Sequence, residues 1–229
     1  MRLLLVQNCA TEGFGRYHDR LVERGVACTT VAAYTGAAFP DSTAFDAVWV
    51  GGTPDSAREL GRHPHLQQSG AFLRQMLDAG VPCFGICCGA QLLALLCGGL
   101  IERSPAPEIG VYQEVVTPSG RRDPLLQGFP DRFPAFAWHF DAFTVPPGGA
   151  LLVSGDRCPA QMFRCGDAAG VLFHLEVNAA AAGVWADAYA GELEAVGKSR
   201  DDIVREAAAA ESEMLTLADR LVDNFLAAS

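Results

Sequence analysis

Short apolar runs alternate with amphipathic stretches through the first ninety residues. Arg2–Gln7 (RLLLVQ) is an apolar run, GRYHDRLVERG after it has helical spacing up to Gly25, and VACTTVAA from Val26 is strand-like. Residues 46–50 (DAVWV) predict a buried strand, 66–80 (LQQSGAFLRQMLDAG) an amphipathic helix stopped by glycine, and 81–86 the next strand. Strands separated by helices of this length predict βαβ units, an α/β fold and a mostly parallel sheet.

The second half changes character. EIGVYQEVVTP gives way to the proline- and glycine-rich FPDRFPAF and TVPPGGALLVSG, with short strand candidates at 161–165 and 170–174. Such punctuation predicts extended loops and antiparallel hairpins added to the sheet. From Arg200 onward the pattern predicts one long helix, with Asp201 and Asp202 at its positive N-terminal end and Leu215, Leu217, Leu221, Val222, Phe225 and Leu226 forming a face that covers the sheet. A single domain over residues 1–229 is the expected organisation.

Composition narrows the function. Half of the residues are apolar and 19% are charged, enough to fill a sizeable core. The net charge of −10 and the absence of a Lys/Arg run argue against binding nucleic acid or an anionic membrane and favour small-molecule or protein partners. No apolar run is long enough to span a bilayer. The eight cysteines include no CxxC, and no hydrophobic leader opens the chain. Free thiols in a cytoplasmic setting, with no metal and no cofactor, are therefore expected.

The segment GICCGAQ (85–91) carries the clearest chemistry. It joins a buried strand to the helical QLLALLCGG, and small residues flank a central cysteine, as in a nucleophile elbow. In G-x-C-x-G the central residue is Cys87, flanked by Gly85 and Gly89, and Cys88 is the first helical residue. The free N–H groups and dipole of the helix start predict a depressed Cys87 pKa, and the Cys88 N–H is positioned as an oxyanion donor. Of the five histidines, His18, His63 and His65 fall in polar or loop contexts, whereas His174 closes the apolar GVLFH with Glu176 two residues on. In extended geometry both side chains share one face, so the carboxylate can orient the imidazole. In VWVGGTPDS, Gly52 at a strand end is the candidate second oxyanion donor. An ATP site is not expected: GGTPDS is one residue too long for an SGGxDS loop and lacks its leading Ser, and GELEAVGKS overshoots the phosphate-loop spacing by one residue with no buried strand before it.

Together VGGTP, GICCGAQLLALLCGG, WHFDAF and FHLEV resemble the class I glutamine amidotransferase family, in the branch similar to the glutaminase domain of GMP synthase and to stand-alone γ-glutamyl peptidases. The resemblance implies a flavodoxin-like three-layer sandwich. It also implies a Cys-His-Glu triad that cleaves the γ-carboxamide of glutamine through a glutamyl thioester. Its roles fall on Cys87, His174 and Glu176, with oxyanion donors at Gly52 and Cys88 and with Gln91, His139 and Asp141 at the substrate. Three positions depart from the family pattern: Ala90 replaces a frequent His, Leu175 a frequent Pro, and Phe140 the usual Gly of Trp-His-Gly-Asp. Phe140 is expected to reshape the pocket or a partner surface. The implied partners are a small γ-glutamyl substrate and, where ammonia is handed on, a separate synthetase. The competing expectations are a regulatory subunit that keeps the fold without catalysis, and the related elbow-cysteine folds whose acid lies on an earlier strand.

Overall fold

The computed structural model describes residues 1–228. β1 (Arg2–Gln7) reads as an unbroken apolar run because both of its faces are buried. Leu3 and Leu5 enter one core while Leu4 and Val6 enter the other, the period-2 alternation of a strand resolved into two layers. β2 (Ala27–Ala32), β3 (Ala47–Val50), β4 (Cys83–Ile86) and β9 (Ala168–Val171) extend the parallel part of the sheet. α1 (Gly15–Glu23), α4 (Ala179–Ala188) and α5 (Arg200–Ala228) contribute Tyr17, Leu21, Trp185, Leu217 and Leu221 to the first core. α2 (Pro64–Asp78) and α3 (Cys88–Leu96) contribute Leu66, Leu73, Met76, Leu92 and Leu93 to the second. The result is the flavodoxin-like three-layer α/β arrangement.

The antiparallel part is β5 (Ile101–Val116), β6 (Arg132–Phe143), β7 (Ala150–Gly155) and β8 (Met162–Cys165), giving one sheet in the order β2-β1-β3-β4-β9-β8-β7-β5-β6. β6 takes up the second half of FPDRFPAF as an antiparallel addition to the sheet, with Pro134 opposite Gln113. β6 is an edge strand, where a residue without an N–H does not interrupt the ladder. In β5 the segment around Pro105 and Pro107 breaks register between Arg103 and Glu108 for want of the same donor. β9 stops at Val171, so His174 lies beyond the strand and not at its last position. No helix among the described residues is long and apolar enough to cross a membrane.

Parallel strands whose helices cover both faces leave their C-terminal ends open as a crevice, and two adjacent strands meet there. β4 pairs with β9, matching Ile86 to Val171, so the chain segments leaving these two strands are neighbours.

Candidate active site

Cys87 follows β4 directly. Its φ of 53° and ψ of −113° make it the one non-glycine with positive φ among the described residues. Such a backbone costs on the order of 1–3 kcal/mol and persists only when its surroundings impose it. They do so on three sides. The Cys87 N–H donates to Val171 O at 2.8 Å, and its carbonyl accepts from the Gln91 N–H at 3.1 Å. A side chain on Gly85 would stand 2.5 Å from Ala90 N and Gly89 O, and one on Gly89 would strike the Val50 carbonyl. The glycines are thus required by close approach, and Cys87, although buried, borders a cavity of about 320 Å³.

That cavity brings together Cys87, Cys88, Gln91, His139, Phe140 and Asp141. Gln91 Nε2 donates to the Asp141 carbonyl at 3.1 Å, tying α3 to β6. The Asp141 carboxylate accepts from Ser56 Oγ at 2.5 Å and from Arg58 and Arg103, each at 3.4 Å. His139 Nε2 lies 2.9 Å from Glu108 Oε2, both side chains being buried. The Asp141 side chain is therefore engaged by protein groups as well as bordering the cavity, whereas among the described residues neither ring nitrogen of His139 forms a hydrogen bond despite the nearby Glu108. The Phe140 ring lines the cavity and carries the Arg103 guanidinium 4.8 Å from its centroid.

His174 and Glu176 form a buried pair. Backbone bonds between His174 and Phe136 in both directions, at 2.7 and 3.1 Å, make a single antiparallel bridge that holds the segment against β6. Nδ1 of His174 is 2.6 Å from Glu176 Oε1, and each side chain is 2% exposed. With Nδ1 committed to the carboxylate, Nε2 is the basic nitrogen, and among the described residues it is buried without a hydrogen-bond partner. The Trp185 ring meets the imidazole edge-to-face at 4.9 Å. Burial opposes the imidazolium, but Glu176 and then Glu12 outweigh it, so the His174 pKa is raised. No hydrogen bond joins Cys87 to His174 here; Cys87 Sγ points to the Trp138 carbonyl at 3.9 Å.

The expected depressed Cys87 pKa is overturned. Burial first, and then the Glu12 carboxylate, push the thiol well above its ordinary value, while the Cys88 N–H works in the opposite direction with smaller effect. The helix start does contribute, but desolvation wins. The expectation of loop positions holds for His63, which caps α2 from the connection before it, and fails for His65, which lies in the first turn of the helix. Both stand at the start of α2, facing Asp55 at 3.4 and 3.5 Å.

Gly52 lies against Cys87: the point where a Gly52 side chain would begin is 3.3 Å from Cys87 Cβ and 3.8 Å from Sγ. Asn8 Nδ2 donates to the Gly51 carbonyl at 3.0 Å, and Ser69 Oγ donates to Asn8 Oδ1 at 2.8 Å. Because the C=O and N–H of a trans peptide point in opposite directions, this anchor turns the Gly52 N–H away from Asn8. Asn8 and Glu12 belong to the segment between β1 and α1 and are the site residues that periodicity and motif spacing do not reveal. Glu192 and Tyr189 are others. Trp138 Nε1 donates to Glu192 Oε2 at 2.6 Å, and Tyr189 packs on Trp138 with ring centroids 5.7 Å apart. An acid arriving from near an earlier strand, the feature expected of the competing elbow-cysteine folds, is thus present in Glu12 together with the His174–Glu176 pair.

This fold, with a strained cysteine at the end of one strand and a buried His–Glu pair beyond its neighbour, defines an amidotransferase-type α/β protein. The chain belongs to the glutamine amidotransferase class-I family, whose profile matches residues 9–184. It is 29% identical to the glutamine amidotransferase-like protein YfeJ of Salmonella typhimurium over 77% of this chain and 76% of that protein. It is 32% identical to one subunit of the glutamine-hydrolysing GMP synthase of Methanoculleus marisnigri over 52% of this chain and 64% of that relative. To the GMP synthase of Aeropyrum pernix it is 41% identical over 45% of this chain, which corresponds to only 20% of that longer protein. The crystal structure of a glutamine amidotransferase from Thermotoga maritima superposes with a TM-score of 0.89 at 26% identity, covering 99% of this chain and 98% of the other.

Proposed function

We propose that the protein hydrolyses a γ-glutamyl amide through a glutamyl thioester on Cys87. The observation that carries this reading is the forced positive-φ conformation of Cys87 beside the buried His174–Glu176 pair. The thiol is neutral at rest, so Sγ must leave the Trp138 carbonyl and pass its proton to His174 Nε2 as it attacks the γ-carbonyl carbon. Glu176 favours that transfer by stabilising the imidazolium. The oxyanion is received by the N–H groups of Gly52 and Cys88, and losing one such donor costs about a hundredfold or more in rate. His174 then protonates the departing nitrogen, and a water activated by the same ring hydrolyses the thioester. Gln91, with His139 and Asp141, borders the space for the glutamyl group.

The relatives that are separate subunits of GMP synthase favour a second reading, in which the amine is ammonia and a separate synthetase receives it. The Arg103-stacked Phe140 favours a stand-alone hydrolase acting on γ-glutamyl conjugates, because it gives the cavity a wall of its own. One experiment tests both. Purified protein is incubated with glutamine and with a panel of γ-glutamyl amides, and released glutamate is followed. Release is expected from at least one of them and is lost in Cys87→Ala. Turnover confined to conjugates selects the stand-alone hydrolase, and turnover of glutamine raised by a synthetase selects the synthetase-coupled form. Release undiminished in Cys87→Ala overturns the assignment.

A further inference from the structure

Glu12 has no part in the cycle above, yet it lies against Gly52 beside the cysteine turn. It is 7% exposed, in the segment that connects β1 to α1. Its Oε1 accepts from Tyr189 Oη at 3.0 Å, and the Tyr189 hydroxyl in turn lies 3.6 Å from Cys9 Sγ. Its Oε2 is turned toward the reacting groups. The point that lies 3.8 Å from Cys87 Sγ, where a Gly52 side chain would begin, is 2.6 Å from Glu12 Oε2. The charged and titratable groups around Glu12 are Cys87, Cys88, His174, Glu176, Glu192 and Tyr189, with Cys9 behind the tyrosine hydroxyl.

A carboxyl is expensive to bury unless a cation or donors compensate it. Here the compensation from the protein is one tyrosine hydroxyl and the His174 imidazole, with two further carboxylates, Glu176 and Glu192, acting against it. Burial first of all pushes the Glu12 pKa up to about 7. The surroundings are thus rich in carboxylates, edged by the aromatic rings of Trp138 and Tyr189, and include the His174 imidazole. Carboxylates and ring faces together are the chemistry that holds an ammonium group. A γ-glutamyl amide delivers such a group: its nitrogen is released where His174 protonates it.

We propose that Glu12 forms the subsite for the leaving amine, holding ammonia or a primary amine as its protonated cation against Oε2. This deepens the hydrolase reading and rests on it. When the tetrahedral intermediate collapses, the C–N bond breaks with its electron pair passing to nitrogen, and His174 Nε2 gives nitrogen its proton. The neutral amine then takes the carboxyl proton of Glu12, so that ammonium and carboxylate are left side by side. Glu12 regains a proton from water before the next turnover. In reverse, an incoming alkylammonium gives its proton to the Glu12 carboxylate and attacks the thioester as the free amine.

Partition of the glutamyl thioester between water and added amine tests this, because a merely structural Glu12 would not move it selectively. With a substrate that the protein turns over as donor, methylamine (cationic at neutral pH) and hydroxylamine (neutral) are compared as acceptors in wild type and in Glu12→Gln. Wild type is expected to show saturable transfer to methylamine. In Glu12→Gln the ratio of methylamine transfer to hydrolysis should fall at least fivefold while the hydroxylamine ratio holds within twofold. An unchanged methylamine ratio, or an equal fall for both acceptors, overturns the subsite. Covalent labelling of Cys87 by a glutamine-like chloroketone reports that the variant is folded. If Glu12→Gln does not fold, Tyr189→Phe, which removes only the hydroxyl on Oε1, carries the same comparison with the same criteria. Wild type that releases glutamate with unchanged partition in the variant sinks the subsite alone; wild type that releases none from any γ-glutamyl amide sinks the hydrolase reading and the subsite with it.

Discussion

Asn8 shows how a single side chain sets the direction of a backbone dipole. Ser69 orients its carboxamide, the carboxamide holds the Gly51 carbonyl, and the peptide plane carries that constraint to the Gly52 N–H beside Cys87. Asn8→Ala removes the anchor without touching the substrate cavity. In this variant kcat is expected to fall roughly 10- to 100-fold, approaching the loss of one oxyanion donor, with KM changed little. Steady-state kinetics check this, and a kcat within twofold of wild type would separate Asn8 from the oxyanion. Such residues explain what is legible at this scale. Cys87 can be located from seven consecutive residues because the elbow is a local steric solution, with its glycines beside it in the chain. Asn8 and Glu12 cannot, because their partners Gly51, Ser69 and Tyr189 lie 43, 61 and 177 positions away. The direction of the Cys87 pKa is hidden for the same reason: the helix start is local, but the burial and the Glu12 carboxylate that outweigh it are tertiary.

At the scale of elements, the helix that begins at Cys88 can only present its N-terminus to the cavity if it comes close to β3. Gly89 permits this, since a side chain there would overlap the Val50 carbonyl. Gly89→Ala should therefore cost about 3 kcal/mol or more by forcing α3 off the sheet. Gly70, inside α2, is the opposite case, having nothing within 4 Å of the point where its side chain would begin. Gly70→Ala is expected to stabilise by about 0.5–1 kcal/mol through helix propensity. Thermal or denaturant melts of the two variants should move in opposite directions; similar shifts would refute the close approach. The parallel elements are legible because burial on both faces makes β1, β3 and β4 uniformly apolar between recognisable helices. β6 is obscured by Pro134, which reads as a breaker until the strand is seen to be at the edge. α4 is obscured by a run of alanines with little contrast between its faces, capped by Asn178 accepting from the Ala181 N–H at 2.8 Å.

Across the whole molecule, charges are distributed with opposite consequences for stability. On the outside, α1 and α5 are laced by Arg16 to Asp219 at 2.5 Å and by Arg20 and Arg24 to Asp223 at 2.7 and 2.5 Å. Partly exposed pairs of this kind contribute at most about 1 kcal/mol each, and they fix the seat of the C-terminal helix more than they add stability. The arginines hold the Asp223 pKa down, so this contribution is present at neutral pH and is lost as pH falls below the ordinary carboxylate range. On the inside, Glu114 of β5 is fully buried, and among the described residues neither of its oxygens has a hydrogen-bond partner. Burial first, then Glu108 and Asp156, push its pKa up to about 9. The folded protein thus keeps a proton on Glu114 that the unfolded chain releases near the ordinary glutamate value of 4.5, and stability must fall as pH rises between those two values. Each unit of that interval is worth up to about 1.4 kcal/mol. Glu114→Gln keeps the shape and removes the ionisation. The stability difference, variant minus wild type, should accordingly become more positive from about pH 5 to about pH 9, the interval between the two pKa values. Denaturant unfolding at the two ends of that interval and at neutrality decides it, since a difference independent of pH would mean that Glu114 ionises as easily in the fold as out of it.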